Sequence, residues 1–348
     1  MKNWKETVTE MHRLKKHYTR HDTPENDNVH RTLVKRALLL IKNAGCDAGD
    51  IIAPYLDTIL QYCVQPDLEG DHEKGKGRHY YCAVNTSGIK QLPVGGYYRN
   101  GTGKFAQSAR TMFEEDYTMA LTMWYAGHHE KAAEYLGRAI HMVSDMCCLP
   151  HAAKMTYYSS KAAVHKTYEE LARALYPSHV AEQSITKKDL RFFGKSGGFG
   201  RELNKLASAA AAERIFLRIS PVKEISARLY ATEKAVAALI YRFSIDIALP
   251  PQKAHFLRSG MKIRFRAGGE KYTVSVAEDG LRFISPEGTL FSAGKYDLFR
   301  AAHRSGGNYT ISPVTKDGKD RVLRRRSGEI VIDKFNPLLH SEMFRFYR

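Results

Sequence analysis

The chain has 348 residues, 43% of them hydrophobic and 26% charged, enough apolar material for a buried core, which excludes intrinsic disorder over most of its length. With 54 Lys and Arg against 37 Asp and Glu the formal charge is +17, which excludes a partner-indifferent surface and points to anionic partners: nucleic acid, phosphate esters or an acidic membrane. Five Cys, an odd and sparse set, exclude a disulfide framework; no apolar run is long enough to span a bilayer, and the polar start Met1-Lys2-Asn3-Trp4 lacks the core of a signal peptide, so the expectation is a soluble chain, cytoplasmic as written.

Val29 to Ala44 places Val34, Leu38 and Ile41 on one helical face, with Gly45 as the stop, and Asp50 opens a second helix carrying Ile52, Tyr55, Leu56 and Ile59. From Val64 to about Lys104 no period survives and Pro, Gly, Asn and charge dominate, the signature of a long functional loop. Helical periodicity returns over Ala106–Gly127, Glu130–Cys148 and Ser159–Leu175, the last capped by Ser159 or Ser160 and ended by Pro177. His128-His129 reads as an exposed loop, Gly194 to Gly200 as a connection, and Arg201–Leu217 and Val222–Leu249 as two further helices, closed by Pro250-Pro251. After Gln252 the period shifts toward two, with Lys262–Arg266 and Tyr272–Val276 alternating as half-buried strands. Tyr272, Asp279-Gly280 and Leu298-Phe299 are echoed by Tyr309, Asp317-Gly318 and Met343-Phe344, which suggests duplicated β units, trefoil-like or sandwich-like. The expected fold class is mainly α: an all-helical domain over residues 1–250 and a small basic β domain over 251–348. The latter carries 19 Lys and Arg against 10 Asp and Glu, densest at Arg321, Arg324, Arg325 and Arg326.

The chain holds 15 His, and several are spaced for chemistry. His141 and Asp145 are four apart on one predicted helix, His165 and Glu169 are four apart on the next, and His151 follows Pro150 between them: His-x3-Asp-x5-His-x13-His-x3-Glu. Each pair sits among apolar neighbours (Ala139, Ile140, Met142 and Val143; Ala162, Ala163, Val164 and Leu171), so the polar groups face a core and must be paired or bound to metal. Three imidazoles and two carboxylates from two helices and their turn match the ligand preferences of Zn²⁺. Cys147-Cys148, inside the same run, reads as core packing.

This run, from Tyr135-Leu136-Gly137-Arg138-Ala139-Ile140-His141 through Asp145, Pro150-His151, His165 and Glu169, resembles the zinc-dependent phospholipase C family, which includes the bacterial phosphatidylcholine-preferring enzymes and the clostridial alpha-toxin. The family's upstream Asp and His, twelve apart, are matched by Pro66-Asp67 and His79-Tyr80-Tyr81, and its His on the first long helix by His30. The resemblance covers about residues 20–250 and implies an all-helical catalytic domain with two to three zinc ions. It implies that His79, His141 and Asp67 hold one zinc with Asp145 bridging, that His151, His165 and Glu169 hold a second, and that His30 and Asp145 hold a third. Asp67 would also be the general base. The implied reaction is hydrolysis of the glycerol-side phosphodiester of a phospholipid to diacylglycerol and a phosphorylated headgroup, by a monomer without a transmembrane segment. Tyr80, Tyr81, Tyr97 and Tyr98 are candidates to line the substrate pocket, where aromatic rings suit a quaternary ammonium.

Two features depart from the family. Its mature chain begins with a Trp that helps bind the third zinc, whereas Trp4 lies 26 positions before His30 here, leaving His17 or His21 (beside Asp22) as substitutes. The family is usually secreted. The β domain shows no calcium-binding Asp cluster, and its basic residues suit an anionic membrane surface. Two other readings stand beside the phospholipase. An S1/P1-type zinc nuclease would suit the basic charge but ends in His-x3-Asp after a longer insertion, so nucleic acid is the less favoured partner. A non-catalytic, zinc-stabilised lipid-binding protein would not need Asp67.

Overall fold

The computed structural model describes residues 4–18, 28–69, 78–81, 96–99, 105–155, 162–176, 184–194, 198–212 and 221–248, and beyond them the strands between 263 and 345. His21, Asp22, Ser159, Ser160, Pro177 and Pro250-Pro251 lie outside these residues, as do the side chains of His17, Tyr98, Arg325 and Arg326 and several members of the β repeat.

The helical part starts with α1 (Trp4–Tyr18) and α2 (Val29–Asn43). The side chain of Asn28 caps α2 by accepting from the backbone N–H of His30, and Gly45 leaves the helix at a φ of +65°, where a side chain would be strained. The continuous helix expected from Asp50 does not form. Pro54 cannot donate a backbone hydrogen bond, so the chain makes two 3₁₀ turns, Asp47–Gly49 and Ala53–Tyr55, before α3 (Leu56–Tyr62). The irregular loop expected from Val64 begins instead with a one-turn helix, α4 (Gln65–Leu68), which takes Pro66 in its first turn and carries Asp67. The same stretch contains the hairpin of β1 (Tyr98–Arg99) and β2 (Phe105–Ala106).

The centre of the domain is α5 (Ala109–Tyr125) packed on α6 (His129–Cys147). A reciprocal capping box of Ser108 and Thr111 starts α5, which is buried on nearly every face. His129 is not in an exposed loop: it opens α6 half-buried, stacked on Trp124 with ring centroids 4.3 Å apart and bonded to Tyr55 Oη at 3.0 Å. A short α7 (Leu149–Ala152) follows, then α8 (Ala162–Leu175), α9 (Lys187–Leu190), α10 (Gly200–Ala211) and the long α11 (Pro221–Ala248), which crosses α2, α5, α6 and α8. Two apolar clusters result. One joins α2, α3, α5, α6, α10 and α11; a smaller one, with Met11, Leu33, Val164, Leu171 and Ile225 at 7% exposure or less, ties α1 and α8 to α11. Each such side chain contributes about 1.5–3 kcal/mol of apolar burial. No described helix is long and apolar enough to cross a membrane.

All described elements after α11 are strands. The strands β3 (Ile263–Ala267), β4 (Glu270–Ala277), β5 (Gly280–Ile284), β6 (Leu290–Phe291), β7 (Phe299–Ser305), β8 (Asn308–Pro313) and β11 (Phe344–Arg345) form one antiparallel sheet ordered β11-β8-β7-β5-β4-β3, with β6 pairing on β5. A separate hairpin of β9 (Arg321–Arg326) and β10 (Glu329–Lys334) packs beside β8. Period-two alternation buries Phe299 and Ala301 on one face of β7 and turns Arg300, between them, toward α5. There Arg300 Nη1 reaches Glu115 Oε1 at 3.3 Å and its guanidinium lies 5.7 Å from the ring of Tyr135 on α6. This contact seats the sheet on the helical core.

Candidate metal centre

All eight side chains singled out, five by spacing and three by the resemblance, meet in one place. His141 and Asp145 share one face of α6 because they are four apart, and both are essentially fully buried, as is His165 on α8. Pro150 cannot donate to the carbonyl of Met146, so α6 ends at Cys147 and restarts as α7, which carries His151. His30 stands in the first turn of α2, and Asp67 on α4. His79 lies in a short extended segment pinned by backbone bonds: Tyr81 N donates to His151 O, and Ala109 N donates to Tyr80 O, both at 3.1 Å.

Three groups of ligand atoms result, each within 4.8 Å: Asp67, His79 and His141; His151, His165 and Glu169; His30, His141 and Asp145. Asp145 connects them. Its Oδ2 lies 2.8 Å from His79 Nδ1 and 3.2 Å from His141 Nε2, while its Oδ1 lies 4.0 Å from His30 Nε2 and 3.9 Å from His151 Nε2. Glu169 Oε1 lies 2.7 Å from His165 Nε2 and 3.0 Å from His151 Nε2. Asp67, whose side chain is 34% exposed, is the open member: Oδ1 is 3.5 Å from His141 Nε2, and Oδ2 is 3.6 Å from His30 Nε2.

Four of the five imidazoles are anchored through Nδ1. His141 Nδ1 donates to Cys63 O at 2.8 Å, His151 Nδ1 to His79 O at 3.1 Å and His165 Nδ1 to Met155 O at 2.6 Å. A carbonyl only accepts, so each proton sits on Nδ1 and Nε2 is turned inward. His30 Nδ1 meets Ser144 Oγ at 2.7 Å, and that hydroxyl already donates to His141 O, so it accepts from His30 in the same sense. This is the outer-shell arrangement that orients metal-ligating histidines. A tetrahedral ion about 2.0–2.1 Å from its ligands sets them roughly 3.3 Å apart, and the inward-facing atoms bracket that spacing. Five imidazoles and three carboxylates are also the donor set zinc takes, so the residues present fit the ion.

The electrostatics follow from burial and crowding. Burial alone would lower the pKa of His141 and His151, but the carboxylates of Asp145, with Asp67 or Glu169, outweigh it and raise both to about 9. Burial would raise Asp145 and Glu169; the imidazoles beside them hold both well below the usual carboxylate range. His30 goes the other way, to about 4, because burial and the neighbouring His141 both disfavour its charge.

Beside the groups lies a cavity of about 330 Å³, lined by Asp67, Asp145, His151 and Glu169 together with apolar residues of α2, α8 and α11. Of the tyrosines expected to line it, Tyr80, Tyr81 and Tyr97 do not, and Tyr168 of α8 lines it instead. Tyr80, Tyr81 and Tyr97 are at most 6% exposed, and the backbone bonds that hold the 78–81 segment turn its rings into the helix packing. Tyr80 stacks against His151 at 5.2 Å, and Tyr81 Oη bonds to Asn204. Cys147 and Cys148 border the cavity, the Cys147 thiol pushed up to about 12 by burial. Spacing gave no sign of three supports: Ser144, the Cys63 carbonyl and Gly137. A Cβ at Gly137 would stand 2.8 Å from Ile59 O, so only glycine lets α3 approach α6 closely enough for Cys63 to reach His141.

Five helices and one extended segment that converge imidazoles and carboxylates at the mouth of a cavity define a metal-dependent hydrolase. The family model described as zinc dependent phospholipase C matches residues 29–213. The chain belongs to the zinc-dependent phospholipase C family, and it is a zinc-binding hydrolase with a phospholipid substrate. Its fold is similar to that of the alpha-toxin from Clostridium absonum, at 14% identity over 89% of this chain and 95% of the other, with a TM-score of 0.53. It is likewise similar to the alpha-toxin of an avian strain of Clostridium perfringens, at 13% identity over 94% and 99%, with a TM-score of 0.54. No curated protein sequence matches the chain.

Proposed function

We propose that the eight clustered residues form a three-zinc centre: Asp67, His79 and His141 for one ion, His151, His165 and Glu169 for a second, His30 for a third, with Asp145 shared between sites. The observation that carries this reading is Asp145, buried and presenting its two oxygens to different imidazole groups. Zinc, when bound, lowers the pKa of water toward neutrality and offsets charge growing on the phosphoryl oxygens. Asp67, the exposed carboxylate facing the cavity, takes a proton from the attacking water. The water oxygen bonds to phosphorus as the bond from phosphorus to the glycerol oxygen breaks. The proton passes to that oxygen, giving diacylglycerol and the phosphorylated headgroup. His30 and His141 keep Asp67 at this position through the contacts above.

The reading extends to the whole chain. The helical unit ends near residue 250, and the residues from 251 onward form a second unit whose basic residues dock a monomeric enzyme on an anionic membrane surface, at about 1 kcal/mol per Lys or Arg close to the lipid. The test is elemental zinc analysis of the purified chain alongside hydrolysis of phosphatidylcholine, phosphatidylglycerol and single-stranded DNA. We expect at least two zinc ions, hydrolysis of lipid only, and loss of one zinc in His165→Ala. A folded, zinc-free protein would overturn the assignment.

A further inference from the structure

Residues 79–81 touch two of the ligand groups at once. The imidazole of His79 belongs to the group with Asp67 and His141: its Nδ1 lies 2.8 Å from Asp145 Oδ2 and 2.9 Å from His141 Nε2. The backbone of the same residue serves the group of His151, His165 and Glu169, because His79 O accepts from His151 Nδ1 at 3.1 Å. The next two residues stay on that second group. Tyr80 stacks its ring on His151 at 5.2 Å and meets His165 edge-on at 6.0 Å, and Tyr81 N donates to His151 O at 3.1 Å. A displacement of this segment therefore moves a ligand of one group and an orienting acceptor of the other together.

The segment is anchored on its far side by the fully buried side chain of Tyr81. Its Oη donates to Asn204 Oδ1 on α10 and accepts from Arg110 Nη1 on α5 at 3.4 Å, while Arg110 Nε donates to Glu114 Oε1 at 2.9 Å. The helix α10 also packs on α7, which carries His151, so the anchor and a ligand of the second group share one support. We propose that Tyr81, held by Asn204 and Arg110, is a positioning residue that couples the two groups, so that both lose zinc affinity when its hydroxyl is removed. The proposal rests on the zinc-centre reading and adds the device that ties its sites together. Outer groups that orient metal ligands typically contribute about 10–100-fold in metal affinity, and here one hydroxyl stands behind two sites.

Tyr81→Phe keeps the ring and removes the hydroxyl. The test is elemental analysis of the full chain across buffers of graded free zinc, with Tyr81→Phe introduced into two backgrounds. His165→Ala leaves Asp67, His79 and His141 in place, and His141→Ala leaves His151, His165 and Glu169. The free zinc needed for half-filling should rise about tenfold in both. In the otherwise wild-type chain, Asn204→Leu should reproduce the rise seen with Tyr81→Phe, and Asn204→Asp, which keeps an accepting oxygen, should retain wild-type filling. A merely structural role would lower the thermal melt of the zinc-free chain and leave the zinc curves in place. The second readout needs no ligand substitution and so no background that fails to fold. In proton–nitrogen spectra of the zinc-loaded, histidine-labelled chain, Tyr81→Phe should move the Nδ1–H signal of His151, bonded to His79 O, further than that of His165, bonded to Met155 O. A rise confined to one background, unmoved zinc curves or an unmoved His151 signal would overturn the proposal and leave the zinc centre standing. A wild-type chain that binds no zinc would overturn the zinc-centre reading and the proposal with it.

Discussion

The α5–α6 pair carries two buried polar clusters, and they solve the same problem differently. Toward the end of α6, His141 and Asp145 meet imidazoles from α2, α7, α8 and the 78–81 segment, and four of the five rings, His141 included, are held from behind by acceptors so that their inner nitrogens converge on a cavity. A few turns away, Glu115 and Asp116 of α5 lie at 8% and 2% exposure and are compensated by arginines instead. Arg300 from β7 reaches Glu115, and Arg138 of α6 forms a two-pronged pair with Glu69 just past α4. Burial raises Asp116 to about 7, with Arg138 and Arg300 pulling the other way. The difference teaches what separates a metal centre from a structural ion cluster in a helical core. In the first, imidazoles are fixed from behind so that their inner nitrogens converge with carboxylates; in the second, guanidinium groups approach the carboxylates from neighbouring elements.

Substitutions can break this contrast from either side. The largest effect belongs to Asp67. Asp67→Asn keeps the size and removes the charge, and should lower phosphodiester hydrolysis by about 10²–10⁴-fold. Zinc held by His151, His165 and Glu169 should stay, as read by elemental analysis; wild-type turnover would remove Asp67 from the mechanism. Next is Gly137→Ala. Its Cβ would meet the backbone of Ile59 and Cys63, neither of which can step aside as a flexible side chain does. The expected cost is about 1–3 kcal/mol in denaturant unfolding, together with faster zinc loss to a chelator as α3 withdraws Cys63 O from His141. A wild-type rate of zinc loss would show that this anchor does not position His141.

On the other side of the comparison, Arg300→Met should leave zinc content unchanged while lowering stability by about 1–2 kcal/mol, less than for a fully buried pair because Arg300 is one-third exposed. Zinc loss in this variant would mean the two clusters are coupled. Asp116 gives the smallest and most diagnostic effect. Its folded pKa lies above its ordinary value, so the folded state binds the proton more tightly. Its contribution to stability is complete in acid and is lost as pH rises through about 7. With zinc saturating, the Tm of the wild type should therefore fall relative to Asp116→Asn between pH 5.5 and 8, by about 2–4 °C. Parallel curves would show that Asp116 stays ionised throughout.

Much of the centre was legible because a helix converts spacing into direction. His141 with Asp145 and His165 with Glu169 had to share faces once their segments were helical, and their apolar neighbours fixed which way those faces turned. The mainly α class, the switch to strands after the last helix, and the Pro150 break were visible for the same local reasons. Sequence did not disclose the 3₁₀ turns around Pro54 or the helical turn that carries Asp67. These are short or weakly periodic segments stabilised by what they pack against.

Tertiary structure alone decided which inner nitrogens face which oxygens. That depends on acceptors far away in sequence: Cys63 for His141, Met155 for His165, Ser144 for His30. It also decided that Tyr80 and Tyr81 turn into the core while Arg173 and Arg228 border the cavity, and that Arg300 reaches across from the sheet to α5. The physical reason is range. Helical periodicity and proline geometry act within a few residues and are written into the chain, whereas hydrogen-bond partners and charge compensation are set by which surfaces the packed core brings together.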